Sequence, residues 1–144
     1  MGRILALDIG EKRTGIAMTD PMKIIASPKE LFEGDPSSKE FIEKIKDIIE
    51  NENIEKIIVG LPKNLKNIDT LSTSRARESK ELLVENVEIP VIFWDERMTT
   101  AQSDKVLNDS GVHWRKKKKI IDKMAAALIL ENYLRYIEFN IDIK

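Results

Sequence analysis

The stretch Ile4-Leu5-Ala6-Leu7-Asp8-Ile9-Gly10 decides the fold of this chain. Four apolar residues lead into one carboxylate, and Gly10 permits a tight turn before a second apolar stretch at 14–18. This pattern predicts a buried first strand, a short turn, and a second strand that returns beside it. Asp8 then lies at the end of a buried strand, where its carboxylate needs a metal ion or the backbone N–H groups of a turn.

The composition is that of one soluble globular domain. The chain has 144 residues, of which 42% are hydrophobic and 34% are charged, and its net charge of −1 neither predicts nor excludes nucleic-acid binding. The absence of cysteine excludes disulfides and thiolate zinc sites. No apolar run approaches the ~20 residues of a membrane span. We therefore expect a single domain over residues 1–144, in the cytoplasm and not in a membrane.

A third strand and a first helix follow the initial hairpin. Short apolar runs at 24–26 and 30–32 predict a strand interrupted by Pro28, which places it at the edge of the sheet because proline cannot donate to a ladder. Ser37 and Glu40 form a capping-box pattern that predicts the start of a helix with one apolar stripe, and Asn51-Glu52-Asn53 predicts its end. The first three strands are therefore expected to form an antiparallel meander.

The second half of the chain alternates strands and helices. Apolar runs at 57–59 and 90–94 predict buried strands, with a helix over about 74–85 between them. A last helix is expected from about residue 120 past Tyr133. Right-handed crossovers place the later strands parallel to the first, so the fold class is α/β with a mixed sheet flanked by helices.

Acidic residues follow the strands at positions that the topology brings together. Asp8 ends the first strand, Asp95 and Glu96 end the last, and Asp122 shares a helix face with Ala125. Clustered carboxylates repel one another unless a cation binds them, and an oxygen-rich, histidine-poor set suits Mg²⁺ or Mn²⁺. Two such ions about 3.5–4 Å apart can activate water and stabilise the leaving oxygen in phosphodiester cleavage.

We therefore predict Asp8, Glu96 and Asp122 as metal ligands, with Asp95 as a further catalytic candidate. Adjacent strand residues point to opposite faces, so one of the Asp95–Glu96 pair faces the site, and the longer reach of Glu96 favours it. The alternative is that Asp122 is only a helix N-terminal charge and that the acidic pair is solvated.

Basic residues near these acids predict contacts with phosphate groups. A run of five positive charges at 115–119 precedes the last helix, although such a run is also typical of a solvated face. Trp114 beside it could stack on an unpaired base or simply pack in the core. The residues predicted to contact nucleic acid are Lys12, Arg13, Arg97, Arg115, Lys116, Lys117 and Lys118.

Four motifs in order resemble the YqgF family, whose members are named as pre-16S rRNA nucleases or Holliday junction resolvases. The motifs lie at 5–15, 59–62, 95–100 and 121–126. The resemblance implies an RNase H-like fold with sheet order 3-2-1-4-5 and a metal-dependent nuclease that matures the 5′ end of the small-subunit RNA precursor. It points to Asp8, the Asp95–Glu96 pair and Asp122 as the acidic site. Unlike the usual family pattern, residues 64–74 contain no glycine.

Two other classes of function fit parts of the sequence. Asp8-Ile9-Gly10 with Thr14-Gly15 also resembles the first phosphate loop of actin-like ATPases and sugar kinases, which have two such domains. A non-catalytic RNA-binding protein would keep the fold without cleaving. ATP hydrolysis would identify the first class, and nuclease activity that depends on Asp8 would exclude the second. The sequence leaves RNA or branched DNA as substrate, and monomer or homodimer as assembly, undecided.

Overall fold

The computed structural model describes residues 2–61, 71–95 and 124–137. Within these ranges the chain forms five strands and three helices. The strands are β1 Arg3–Ile9, β2 Arg13–Thr19, β3 Ala26–Glu33, β4 Ile54–Leu61 and β5 Val91–Asp95. The helices are α1 Lys39–Glu52 and α2 Leu71–Asn86, together with α3, described over 124–137. No helix in the described ranges is both long and apolar enough to cross a bilayer.

The five strands form one mixed sheet in the order β3-β2-β1-β4-β5. The pairs β1–β2 and β2–β3 are antiparallel, whereas β1–β4 and β4–β5 are parallel. This arrangement confirms the predicted meander, its parallel extension and the sheet order. β3 lies at one edge and continues through Pro28, with a register irregularity opposite Ile16 and Ala17.

Strand alternation divides the core between the two faces of the sheet. On one face, Leu5 and Leu7 of β1 pack with residues of α1 and α2, and we call this the α1 face. On the other, Ile4 and Ala6 pack with α3, and we call this the α3 face. β1 is therefore buried on both sides, and full burial of each large side chain contributes about 1.5–3 kcal/mol to folding.

The start of β3 differs from the prediction. Ile24 and Ile25 were expected in the strand, but they lie in the turn before it and are 71% and 62% exposed. Oδ1 of Asp20 accepts the backbone N–H groups of both residues at 2.8 Å and so fixes the turn. The hydrogen bonds from Ile25 and then Ile24 lower the pKa of Asp20 from its ordinary value.

The prediction that Ser37 caps α1 was wrong by one residue. Ser38 is the N-cap, and its Oγ accepts the N–H of Phe41 at 3.2 Å. Ser37 is instead held by Asp35, whose Oδ1 accepts the Ser37 N–H at 2.8 Å and its hydroxyl at 2.7 Å. The predicted end of the helix is confirmed, because Asn53 caps it in the left-handed conformation with φ of 54°.

Thr14 carries a buried hydroxyl group in β2. Thr14 is 0% exposed, and its Oγ1 has no hydrogen-bond partner among the residues that the structure describes. Because an unsatisfied buried hydroxyl costs desolvation energy, we expect Thr14→Val to raise the free energy of unfolding by about 1 kcal/mol. Thr14→Ser keeps the hydroxyl and removes a methyl group, so it should lower that free energy by about 1 kcal/mol. Urea unfolding measures both, and a valine variant less stable than the wild type would show that the hydroxyl is bonded.

Candidate active site

Asp8 lies at the carboxyl end of the central strand. It is the last residue but one of β1 and is half-buried. Because side chains alternate along a strand, Asp8 shares the α3 face with Ile4 and Ala6. In sheets with parallel strands this carboxyl edge is where ligands usually bind. The structure therefore places Asp8 at the end of the first strand, as the sequence predicted.

Glycines flank Asp8 on both neighbouring strands. Gly15 of β2 is paired directly with Asp8. On the other side, Leu7 pairs with Val59 of β4, so the next position along β4, beside Asp8, is Gly60. Neither neighbour places a Cβ beside the carboxylate on the α3 face. The Asp8 side chain thus lies between two strand positions that carry no side chain of their own.

The turn after Asp8 is held tightly. A Cβ on Gly10 would lie 2.3 Å from the carbonyl oxygen of Arg13, so a larger residue there would force the turn to move. The carbonyl oxygen of Lys12 accepts the N–H of Gly34 at 2.8 Å, which ties the turn to the loop before α1. Lys12 itself is exposed and Arg13 is half-buried at the start of β2. Both predicted phosphate contacts therefore lie at the same sheet edge as Asp8.

Asp35 is a second carboxylate beside this turn, but it has a structural role. The hydroxyl and the backbone N–H of Ser37 lower the pKa of Asp35, and the charge of Arg75 contributes to the same shift. These contacts keep Asp35 ionised and close the loop that leads into α1. We do not count it among the candidate metal ligands.

The other predicted ligands lie largely outside the described residues. Asp95 ends β5 and its backbone pairs in register with Leu61, which places it at the same edge of the sheet as Asp8. Two strand spacings separate β5 from β1, or roughly 10 Å. The side chain of Asp95, all of Glu96 and all of Asp122 fall outside the described part of the chain. Within that part, no group of three His, Cys, Asp or Glu residues is close enough to bind a metal ion. Convergence of the carboxylates stays a prediction.

The last helix packs on the sheet through the predicted face. Ala125, Ala126, Ile129 and Tyr133 are all buried, with exposed fractions of 0–7%. Asp122 precedes Ala126 by four residues in the sequence, or about one helical turn. The basic residues predicted further upstream lie outside the described ranges, as do Trp114 and residues 64–70 of the glycine-free segment. They are Arg97, Arg115, Lys116, Lys117 and Lys118.

Sequence reasoning missed three residues around Asp8. Gly15 and Gly60 were read only as parts of motifs, and Trp94 only as the end of a buried strand. Trp94 pairs in register with Gly60 and lies on the α3 face, so it is the next side chain beyond Asp8 in that row. A glycine inside a strand is a known signal for close approach of another group. That signal, applied to both glycines, would have identified the two strand positions beside the carboxylate that carry no side chain.

Comparisons with known proteins bear on the family and the fold of this chain. Residues 2–136 match the family described as RuvX, Holliday junction resolvase. A relative from Listeria innocua named "Putative pre-16S rRNA nuclease" is 37% identical over 133 residues, covering 92% of this chain and 96% of its own. One of the same name from Lactobacillus johnsonii is 42% identical over 135 residues, covering 92% and 94%.

Among solved structures, T. thermophilus RuvC in complex with a Holliday junction substrate has a TM-score of 0.52 at 14% identity. The match covers 94% of this chain and 96% of RuvC, and at such low identity it bears on the fold alone. With the observed sheet order, it shows that the fold is RNase H-like. The family match extends over nearly the whole sequence and includes Asp8 with its turn. The chain therefore belongs to the RuvX family, also called YqgF.

Proposed function

We propose that this protein is a metal-dependent nuclease that hydrolyses phosphodiester bonds in the cytoplasm and matures the 5′ end of pre-16S rRNA. One observation carries the proposal. Asp8 lies at the carboxyl end of the central strand, between two glycines, on the sheet face that α3 covers. The names of the relatives from Listeria and Lactobacillus support the substrate.

The residues around Asp8 suit a divalent cation. Carboxylate oxygen ligands favour Mg²⁺ or Mn²⁺, and Asp8, Glu96 and Asp122 are the proposed ligands. Glu96 is proposed because it lies two residues after Trp94, which faces α3, and alternation continued past β5 would give it the same face. Asp122 is proposed because it lies four residues before Ala126, which packs on the sheet, and a helix extending back to it would give it the same face. When bound, such ions polarise the phosphate and lower the pKa of an attacking water molecule.

The protein's own residues have two further proposed roles, which are to position Asp8 and to contact phosphates. The turn fixed by Gly10 holds the end of β1, and we propose that it keeps the Asp8 carboxylate in position for the substrate. Lys12 and Arg13 lie on that same turn and are proposed to contact backbone phosphates of the substrate. The basic residues at 115–119 are proposed to extend this contact along the strand.

A second candidate function is resolution of branched DNA. The description of the RuvX family as a Holliday junction resolvase favours it. The same acidic residues would serve both reactions, because hydrolysis of a phosphodiester needs the same charge stabilisation in RNA and DNA. Only the shape of the substrate and contacts to the 2′-hydroxyl distinguish the two.

Cleavage assays on four substrates test the proposal. They are a precursor RNA carrying the 5′ end of 16S rRNA, an unrelated single-stranded RNA, a duplex DNA and a four-way DNA junction. We expect cleavage of the precursor RNA with Mg²⁺ or Mn²⁺ and none with EDTA. Preferential cutting of the junction would favour the resolvase. Absence of cleavage on every substrate, with intact RNA binding, would favour a non-catalytic protein, and hydrolysis of ATP instead would favour the nucleotide-binding class.

A further prediction concerns the basic run. If Lys117 and Lys118 each contact a phosphate, replacing both with glutamine should make the plot of log affinity against log salt concentration shallower by about 1.4 for single-stranded RNA. The matched control replaces Lys44 and Lys46 of α1, on the face of the sheet opposite to Asp8, and changes the net charge equally. Fluorescence anisotropy between low and moderate salt measures the slopes. Equal slopes for the Lys117 and Lys118 variant and the wild type would make the run a solvated face.

A further inference from the structure

The row of residues that contains Asp8 leads to an aromatic cluster. Along the carboxyl edge of the sheet, Gly15, Asp8, Gly60 and Trp94 occupy neighbouring positions on successive strands. Gly60 contributes no side chain, so Trp94 is the first side chain on the α3 face beyond Asp8 in the direction of β5. Two strand spacings, or roughly 10 Å, separate the backbones of the two residues.

Trp94 packs against two tyrosines of α3. Its ring centroid lies 5.5 Å from that of Tyr133 at an interplanar angle of 86°, and 5.2 Å from that of Tyr136 at 60°. The two tyrosines differ in exposure, because Tyr133 is 6% exposed and Tyr136 is 53% exposed. Tyr133 is thus part of the core, whereas Tyr136 presents an aromatic surface to solvent that Trp94 supports from below.

A positive charge lies against the same cluster. Nζ of Lys56 donates a hydrogen bond to the Tyr133 hydroxyl at 3.0 Å and lies 5.6 Å from the centroid of that ring. The cluster therefore combines an exposed aromatic ring with a nearby cation. Sites that bind single-stranded nucleic acid use this combination, since every base offers a π-face and every nucleotide carries a phosphate.

We propose that Trp94 and Tyr136 form a stacking platform for one unpaired nucleobase of the substrate strand whose phosphate is held at Asp8. This inference rests on the proposed nuclease function and deepens it, because it requires the substrate strand to be unpaired where it crosses the platform. The row from Asp8 to Trp94 favours a nucleic-acid strand over a protein partner, since Trp94 lies roughly 10 Å along the sheet from the residue proposed to hold the phosphate. Stacking does not depend on the sugar, so RNA and DNA single strands are both suitable ligands.

Binding measured without divalent metal tests the platform, because no cleavage takes place. Fluorescence anisotropy compares labelled single-stranded RNA, single-stranded DNA of the same sequence, and duplex RNA. We expect Tyr136→Ala to weaken binding of both single strands on the order of tenfold and to leave duplex binding unchanged. Tyr136→Phe, the matched control, should bind like the wild type because it keeps the ring. Tyr136 is half exposed, so thermal unfolding should show both variants to be folded.

An oligonucleotide series with one abasic position moved along the strand gives a second test. One abasic position should weaken binding to the wild type, and Tyr136→Ala should cause no further loss on that oligonucleotide. In a Trp114→Phe background, where Trp94 is the one remaining tryptophan of the sequence, single strands should quench the fluorescence.

Four results would overturn the platform. They are unchanged single-strand affinity for Tyr136→Ala, an equal loss with duplex RNA, a loss as large for Tyr136→Phe, and an effect confined to RNA, which would indicate a contact to the 2′-hydroxyl. A change in sedimentation mass without a change in affinity would instead make this surface a contact between copies of the chain. If the nuclease proposal failed instead, metal-dependent cleavage would be absent while single-strand stacking remained measurable.

Discussion

Asp8→Asn is expected to reduce cleavage by at least about a hundredfold, since even residues that only support a metal ligand commonly change activity 10–100-fold. The asparagine keeps the size of the side chain and removes its charge. Because the proposed phosphate contacts come from Lys12, Arg13 and the basic run, RNA affinity without metal should change little. Single-turnover cleavage and anisotropy binding on the same RNA separate the two effects.

The same variant should also change the response of stability to metal. If the carboxylates converge as proposed, removing the charge of Asp8 relieves repulsion among them in the absence of metal, so Asp8→Asn should unfold no more easily than the wild type. With Mg²⁺ at a hundred times its dissociation constant, a protein that binds the ion gains ~2.7 kcal/mol, and the variant should gain less. Thermal unfolding with and without Mg²⁺ measures the difference.

Asp20→Asn is the matched control for both measurements. This substitution makes the same chemical change near the other end of β1, where the hydroxyl of Thr19 accepts the N–H of Ile4. Its carboxylate accepts two backbone N–H groups, which an asparagine oxygen can also accept. We expect full cleavage and an unchanged Mg²⁺ response. An Asp8→Asn variant that matched this control in both assays would remove the metal role of Asp8 and with it the nuclease proposal.

The strands were predictable because their hydrophobic patterns are unambiguous. The run at 4–7, the edge position indicated by Pro28 and the β-branched residues at 57–59 predicted the strands, and right-handed crossovers predicted their directions. The sheet order was implied by the resemblance to the YqgF family, and the structure confirms it. The end of the first helix was equally clear, at Asn53. These features depend on local residue patterns and on the direction of the chain, and a single sequence contains both kinds of information.

The errors have a different origin. Ile24 and Ile25 are as apolar as a strand requires, but their N–H groups donate to the carboxylate of Asp20 and not to β2. Asp35 likewise takes the hydrogen bonds of Ser37, so the cap passes to Ser38. In both cases a nearby aspartate competes for backbone groups, and hydrophobic periodicity carries no information about that competition. The same limit hid Gly15 and Gly60, whose meaning depends on which strand lies next to β1.

The choice between Asp95 and Glu96 can now be argued from the end of β5. Phe93 lies on the α1 face, where Nζ of Lys80 sits 4.6 Å from its ring centroid. Trp94 lies on the α3 face against Tyr133. If this alternation continues, Glu96 takes the face of Trp94 and Asp8, while Asp95 takes the opposite one. Sequence alone favoured Glu96 only for the length of its side chain.

Glu96→Gln is therefore expected to reduce Mg²⁺-dependent cleavage by at least about a hundredfold, as Asp8→Asn does, because it removes a ligand of the same ion. Asp95→Asn is the matched control one residue earlier and should keep cleavage within about tenfold of the wild type, the lower end of the effects seen for residues behind a ligand. The double variant Asp8→Asn with Glu96→Gln should lose little more than either single change, since residues that act as a unit are not additive. Single-turnover rates at saturating Mg²⁺ compare the four variants with the wild type. A large loss confined to Asp95→Asn would mean that Asp95, and not Glu96, is the ligand, and equal losses in Asp95→Asn and Glu96→Gln would mean that alternation does not select the ligand.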